Sequence, residues 1–234
     1  LRCLVGSEMC IRDRYQTAKI ESERTIQMGN GNRGNIMIIK NGLVFTPEGK
    51  FEKKDLYVEG EYVAKETTDN KEVEAEGCYV IPGLVDIHFH GCVRHDMCDG
   101  TEESIQALAD YEAANGVLAI CPATMTIPEE ELFQAMKAAK GHKNGKGADL
   151  VGINMEGPFI NKEKKGAQKE EDIKLADVEL FHKLQEAAGG LIKLVDLAPE
   201  TEGAMDFINQ VKDEVHVSIA HTMADYDTAS EAIR

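Results

Sequence analysis

Tyr79-Val-Ile-Pro-Gly-Leu-Val-Asp-Ile-His-Phe-His90 is an apolar run that closes on two histidines one residue apart, and it decides the fold. Side chains alternate across an extended strand, so His88 and His90 point the same way and can hold one metal ion between them. Two later apolar runs also finish on possible ligands. Asp149-Leu-Val-Gly-Ile-Asn-Met-Glu156 ends on a carboxylate, and Gly157-Pro158 then stops the strand because proline has no N–H for the ladder. Val215-His-Val-Ser-Ile-Ala-His221 ends on an imidazole, while His216 inside the run reads as a core histidine. Taken singly, an H-x-H pair is a weak signal and a strand-end glutamate is most often a surface group. Taken together, His88, His90, Glu156 and His221 at three strand ends make an N/O ligand set for zinc, iron or manganese. A divalent ion held there lowers the pKa of water towards neutrality.

Outward from that run the chain alternates apolar stretches with amphipathic ones. The expected strands are Tyr79 to His90, Gly116 to Met125, Asp149 to Glu156, Leu191 to Pro199 and Val215 to Met223. Helices are expected over Glu102 to Asn115, Glu129 to Lys140, Asp177 to Ala188 and Glu202 to Lys212, with another opening near Asp225. Continuous Val/Ile/Leu runs are those of parallel strands buried on both faces. Functional residues at the carboxyl ends of such strands fit a (β/α)8 barrel or an open doubly wound sheet. No G-x-G-x-x-G follows the first strand, which leaves a dinucleotide site without support. Ligands spread over the first, third and fifth strands favour a TIM-like barrel, where a ring brings distant strands to one axis. A full barrel takes about 250 residues, so residues 80–234 are expected to form a partial one of five strands, the chain being truncated at its C-terminus.

Ahead of the barrel, residues 37–79 read as a small, incomplete β domain. Its strands are Ile36-Met-Ile-Ile-Lys, Gly42-Leu-Val-Phe, Lys54-Asp-Leu-Tyr-Val-Glu and Tyr62-Val-Ala, with hairpin-type turns at Asn41-Gly42 and Glu59-Gly60. Residues 1–36 behave differently. Leu1-Arg-Cys-Leu-Val-Gly-Ser-Glu-Met-Cys-Ile-Arg-Asp-Arg14 resembles a translated sequencing-adaptor scar, and Tyr15 to Asn35 is polar and aperiodic. This leader is expected to be non-native or disordered, with Met37 as the natural start and Arg33-Gly34 as the translation of a ribosome-binding site.

The chain carries 26 basic and 42 acidic residues, a net charge of −16, which argues against nonspecific binding to nucleic acid or an anionic membrane. No apolar stretch reaches the length of a membrane span, and a cytoplasmic location is expected. Outside the leader the cysteines are Cys78, Cys92, Cys98 and Cys121, without a C-x-x-C pair, as for reduced thiols in a cytosolic enzyme. The six-residue spacing of Cys92 and Cys98 is not a usual zinc pattern.

Pro82-Gly-Leu-Val-Asp-Ile-His-Phe-His-Gly91, Asn154-Met-Glu-Gly-Pro-Phe159, Leu197-Ala-Pro-Glu200 and Ser218-Ile-Ala-His-Thr222, in that order, resemble the N-acetylglucosamine-6-phosphate deacetylases of the amidohydrolase superfamily. The resemblance runs from Met37 to Arg234. P-G-x-x-D-x-H-x-H marks only the superfamily, whereas Glu156-Gly-Pro-Phe followed by Lys164-Lys-Gly-Ala167 is more specific. It implies that Glu156 and His221 ligate a principal metal, that His88 and His90 serve a second position, and that Glu156 bridges the two where both are filled, giving one or two ions per subunit. It also implies that Ala167 touches the sugar through backbone groups, since a methyl offers no hydrogen bond. Lys162, Lys164 and Lys165 are read as a solvated loop, Lys193 as structural, and Asp86 as near the site without the role of base. The implied reaction releases acetate from N-acetylglucosamine 6-phosphate, with a small phosphorylated amino sugar as partner and a homodimer as the full-length assembly. The general-base aspartate and a further histidine ligand are expected past Arg234, so the 234-residue polypeptide is expected to be inactive and poorly folded by itself.

Two other readings compete. A dihydroorotase-like or adenine deaminase-like amidohydrolase shares the H-x-H but leaves Glu156-Gly-Pro-Phe unexplained. A noncatalytic barrel protein has no reason to retain stoichiometric metal.

Overall fold

The computed structural model describes residues 36–59, 62–66 and 71–234, and every statement below concerns those residues. The leader up to Asn35 and the Gly60 half of the Glu59-Gly60 turn lie outside them. The fold is mixed α/β, in two compact units that divide between Leu84 and Val85.

In the first unit, β1 (Ile36–Phe45) lies between β2 (Phe51–Glu59) and β4 (Glu72–Glu74), with β3 (Tyr62–Ala64) beyond β2 and the short β5 (Tyr79–Val80) also on β1. The hairpin expected at Asn41-Gly42 is absent. Ile36–Phe45 is one strand, and Asn41 sits in it at φ +61° where the pairing with β2 shifts register between Ile39 and Gly42. Such a bulge inserts one residue and so reverses the parity of the side chains. That is why Met37 and Ile39 before it and Gly42 and Val44 after it are all buried. The Asn41 N–H donates to Asp55 Oδ1 at 2.9 Å, and its side-chain amide donates to Glu74. The β1–β2 turn falls instead at Thr46–Lys50, closed by the Thr46 N–H on the Lys50 carbonyl.

The run from Tyr79 to His90 is broken rather than continuous. Ile81-Pro-Gly83 is irregular, and the strand resumes as β6 (Leu84–Asp86). His88 and His90 therefore follow a strand end rather than lying on the strand. In the second unit a small hairpin, β7 (Gly91–Cys92) with β8 (His95–Asp96), comes next. Then α1 (Glu102–Ala114), β9 (Val117–Ile120), α2 (Glu129–Gly141), β10 (Asp149–Leu150), β11 (Ile153–Glu156), α3 (Val178–Ala187), β12 (Ile192–Leu197), α4 (Ala204–Val211), β13 (His216–Ile219) and α5 (Tyr226–Ile233) alternate. The ladders run β6-β9-β10 and β11-β12-β13, and a parallel bridge from Ala123 to Asn154 joins them. The strands thus neighbour one another in chain order, without the reversal that marks a doubly wound sheet.

The helices form where amphipathic periodicity and a cap coincide. Thr101 caps α1 through the Ser104 N–H, Asp177 caps α3 through Leu180, and Asp225 caps α5 through Thr228. Leu132, Ala135, Met136 and Ala139 of α2, Leu180, Phe181 and Leu184 of α3, and Phe207 and Val211 of α4 are buried against β11 and β12 in one core. Phe207 is tilted against Phe159 and edge-to-face with Phe181, at 5.3 and 5.7 Å between centroids. Full burial of the strands holds only at the centre. All of β11 is buried, whereas Leu84 and Val85 of β6 and Ile87 just after it are 52, 59 and 52% exposed, and His216 is exposed rather than in the core.

Candidate metal centre

Glu156 occupies the end of β11, and its turn into the next loop has one backbone solution. Gly157 sits at φ +73° with its Cα against the Thr126 hydroxyl, so a side chain there meets both conformational strain and a clash. The carboxylate is almost fully buried and collects four nitrogens. His88 Nε2 and His90 Nε2 lie 2.9 and 3.2 Å from Oε2, while His221 Nε2 and Gln168 Nε2 lie 2.7 and 2.5 Å from Oε1. The two oxygens thus face two different histidine groups. Burial pushes the Glu156 carboxyl up, but the hydrogen bonds from His90 and His221 outweigh it and hold the group below its usual range. The same hydrogen bond with Glu156 raises His90.

Each histidine is set by its backbone. The His88 N–H donates to Asp86 Oδ1 at 2.9 Å, so Asp86 caps the turn into the H-x-H. The neighbouring Phe89 carbonyl accepts the Ala123 N–H and that of His90 accepts the Met97 N–H. His88 Nδ1 meets the Asn154 amide at 2.9 Å and Asp196 Oδ2 at 3.7 Å. His221 has φ +46°, with Nδ1 at 2.7 Å from the Lys164 carbonyl. An Nδ1–H donating there leaves Nε2 free to face a ligand, the arrangement that orients metal-bound imidazoles.

All four expected ligands therefore meet, and Ala167 lines the same cavity, of about 520 Å³, with Met125, Gln168, Asp196 and Ala220. The donor set fits a divalent ion. Ligand atoms of His88, His90 and Glu156 lie within 4.8 Å of one another. Atoms bonded to zinc at about 2.0–2.1 Å in a tetrahedron stand roughly 3.4 Å apart, close to the spacings seen here. Lys164 serves through its carbonyl and Lys165 Nζ bonds the Gln168 carbonyl at 3.2 Å. Lys193, on β12, alternates with Asp196 and turns away to the Gly190 carbonyl. Cys98 and Cys121 stand outside the cluster, and burial pushes their thiols up to about 12 and about 11.

The sequence reading missed Gln168 and Asp196. Asp196 pairs directly with Glu156 in the parallel register, and burial pushes its carboxyl up. The signal that found Glu156, a carboxylate closing an apolar run, was weaker for Asp196, which lies within the run from Leu191 to Pro199 rather than at its close. Gln168 had no such signal, since its amide comes from a loop.

Three imidazoles and a carboxylate are thus gathered at strand ends of a mixed α/β framework. No family model matches the chain. It is 35% identical over 204 residues to the N-acetylglucosamine-6-phosphate deacetylase of Bacillus subtilis, covering 84% of this chain and 50% of that one. It is 27% identical over 199 residues to an N-acetylgalactosamine-6-phosphate deacetylase of Escherichia coli O157:H7, covering 83% and 53%. A mutant N-acetyl-D-glucosamine-6-phosphate deacetylase of Mycobacterium smegmatis, solved in complex with N-acetyl-D-glucosamine-6-phosphate, superposes with a TM-score of 0.74 at 24% identity over 86% of this chain and 53% of that one. The chain spans about half the length of these relatives. Along the shared stretch, the chain is similar to the N-acetylglucosamine-6-phosphate deacetylases.

Proposed function

We propose that the site serves metal-dependent hydrolysis of the N-acetyl group of N-acetylglucosamine 6-phosphate, giving glucosamine 6-phosphate and acetate. The observation that carries this reading is the Glu156 carboxylate, whose Oε1 faces His221 while Oε2 faces His88 and His90. With His221 on one oxygen and His88 and His90 on the other, Glu156 and these three imidazoles would hold one divalent ion or two. When bound, such an ion supplies Lewis acidity and lowers the pKa of water near neutral pH. Zinc, iron and manganese all accept this donor set.

The chain's own residues do the rest of what the geometry supports. Glu156 and the three imidazoles hold the charge in place, and Lys164 and Asn154 orient two of the rings. Ala167 borders the cavity beside Gln168, which fits a sugar lying against backbone at that edge. The chain-order strands with intervening helices support a partial (β/α)8 barrel for residues 80–234 after a small β domain at 37–79, the leader being residues 1–36. Among the described residues no helix is long and apolar enough to cross a membrane. A cytoplasmic location and a homodimer complete the proposal.

Two measurements test it. Purified chain dialysed against excess zinc, manganese or iron should retain one or two equivalents by elemental analysis. The product of the uninterrupted gene should release acetate from N-acetylglucosamine 6-phosphate, and faster than from the galactosamine isomer. Retention of no ion, or a preference for cleaving a dihydroorotate-like ring, defeats the reading.

A further inference from the structure

His221 holds an unusual backbone, and the groups that hold it converge on one carboxylate outside the metal centre. A residue with a Cβ adopts φ +46° only when its surroundings fix it there. On one side, the Asn161 N–H donates to the His221 carbonyl at 3.0 Å. On the other, the chain continues through Thr222 and Met223. Glu200, in the turn after β12, binds both sides. Its Oε1 accepts from Asn161 Nδ2 at 2.8 Å and from the Met223 N–H at 2.6 Å, and its Oε2 accepts from the Thr222 hydroxyl at 2.5 Å. The Thr222 hydroxyl in turn accepts the Ala224 N–H at 2.8 Å. Three loops that meet at His221 are thus tied to one side chain that touches neither the cavity nor the imidazole.

We propose that Glu200 is a positioning residue of the metal centre: it clamps the loop around His221 so that the imidazole presents Nε2 to the Glu156 side of the site. This inference rests on the metal-binding reading above. A carboxylate suits the task because its two oxygens accept several donors at once. A glutamine offers one oxygen, and its NH2 would face donors. Glu200→Gln keeps one oxygen for Asn161 and Met223 but reverses the bond at Thr222, whose hydroxyl hydrogen loses its acceptor, and removes the negative charge while keeping size and shape.

Zinc affinity measured by competition with a chromophoric chelator tests the clamp, alongside urea unfolding of the ion-free protein. Outer partners of metal ligands typically change affinity by about 10–100-fold, and a loss in that range is expected for E200Q. Ion-free unfolding should shift far less than the affinity does. Unchanged affinity in a folded E200Q protein overturns the proposal, as does a lowered unfolding midpoint with normal affinity, since that marks a residue that only stabilises. If E200Q does not fold, Thr222→Ala removes the bond to Glu200 Oε2 together with the acceptor of the Ala224 N–H, and decides: weaker zinc binding supports the clamp, equal binding overturns it. A wild-type chain that binds no zinc overturns the metal-centre reading itself, and so is told apart from a failure of the clamp.

Discussion

At the scale of single residues, the centre depends on one buried anion whose charge is shared among four nitrogens. Removing that charge while keeping its shape separates electrostatics from packing. Glu156→Gln should lower zinc affinity by at least about 100-fold, because the site loses the one carboxylate that, among the described residues, contacts all three of His88, His90 and His221, and an outer partner alone is typically worth 10–100-fold. Equilibrium dialysis with elemental analysis measures this directly. The four residues of the proposed centre were legible in the sequence because each stands at the close of an apolar run, a position that parity and strand direction turn into a place in space. Their supporting groups were not. Glu200, Asn161 and Gln168 act from loops, where no periodicity converts sequence spacing into direction.

At the scale of elements, helices were the most legible, since α1, α2 and α3 begin and end within two residues of where capping and periodicity put them. Strands were less so. The Asn41 bulge looks like a turn because Asn-Gly favours positive φ in either setting, and only the pairing partner decides which one forms. Pro82-Gly83 split an apparently continuous run because the composition of a strand does not reveal where its ladder lacks a donor. The C-terminal end of α2 yields a testable pH effect. His142, its cap residue, has a buried Nε2 without a partner among the described residues, and burial lowers its pKa against the opposing pull of Glu102 and Asp149. A histidine with a depressed folded pKa adds stability that is present above the unfolded value of 6.5 and lost as pH falls through the folded one. The His142 contribution should therefore be lost as pH falls below about 6.5, opposite in sign to that of the raised His90, and the difference in urea unfolding between the parent and His142→Gln across that range isolates it.

At the scale of the whole molecule, fold class and charge came from composition and order of runs, while the uneven covering of the strands did not. An apolar run is the same string of letters whether both its faces are covered or one is bare. Net charge of −16 keeps molecules apart at long range, but it is screened beyond about 8 Å at physiological ionic strength. The exposed Leu84 and Val85 of β6, the edge strand of its ladder, and Ile87 just after it act at contact. A concentrated solution should therefore be adhesive, forming clusters that grow with salt and with dose. Val85→Lys places a charge on the barest of these positions, and light scattering at matched concentration should register smaller particles for it than for the parent.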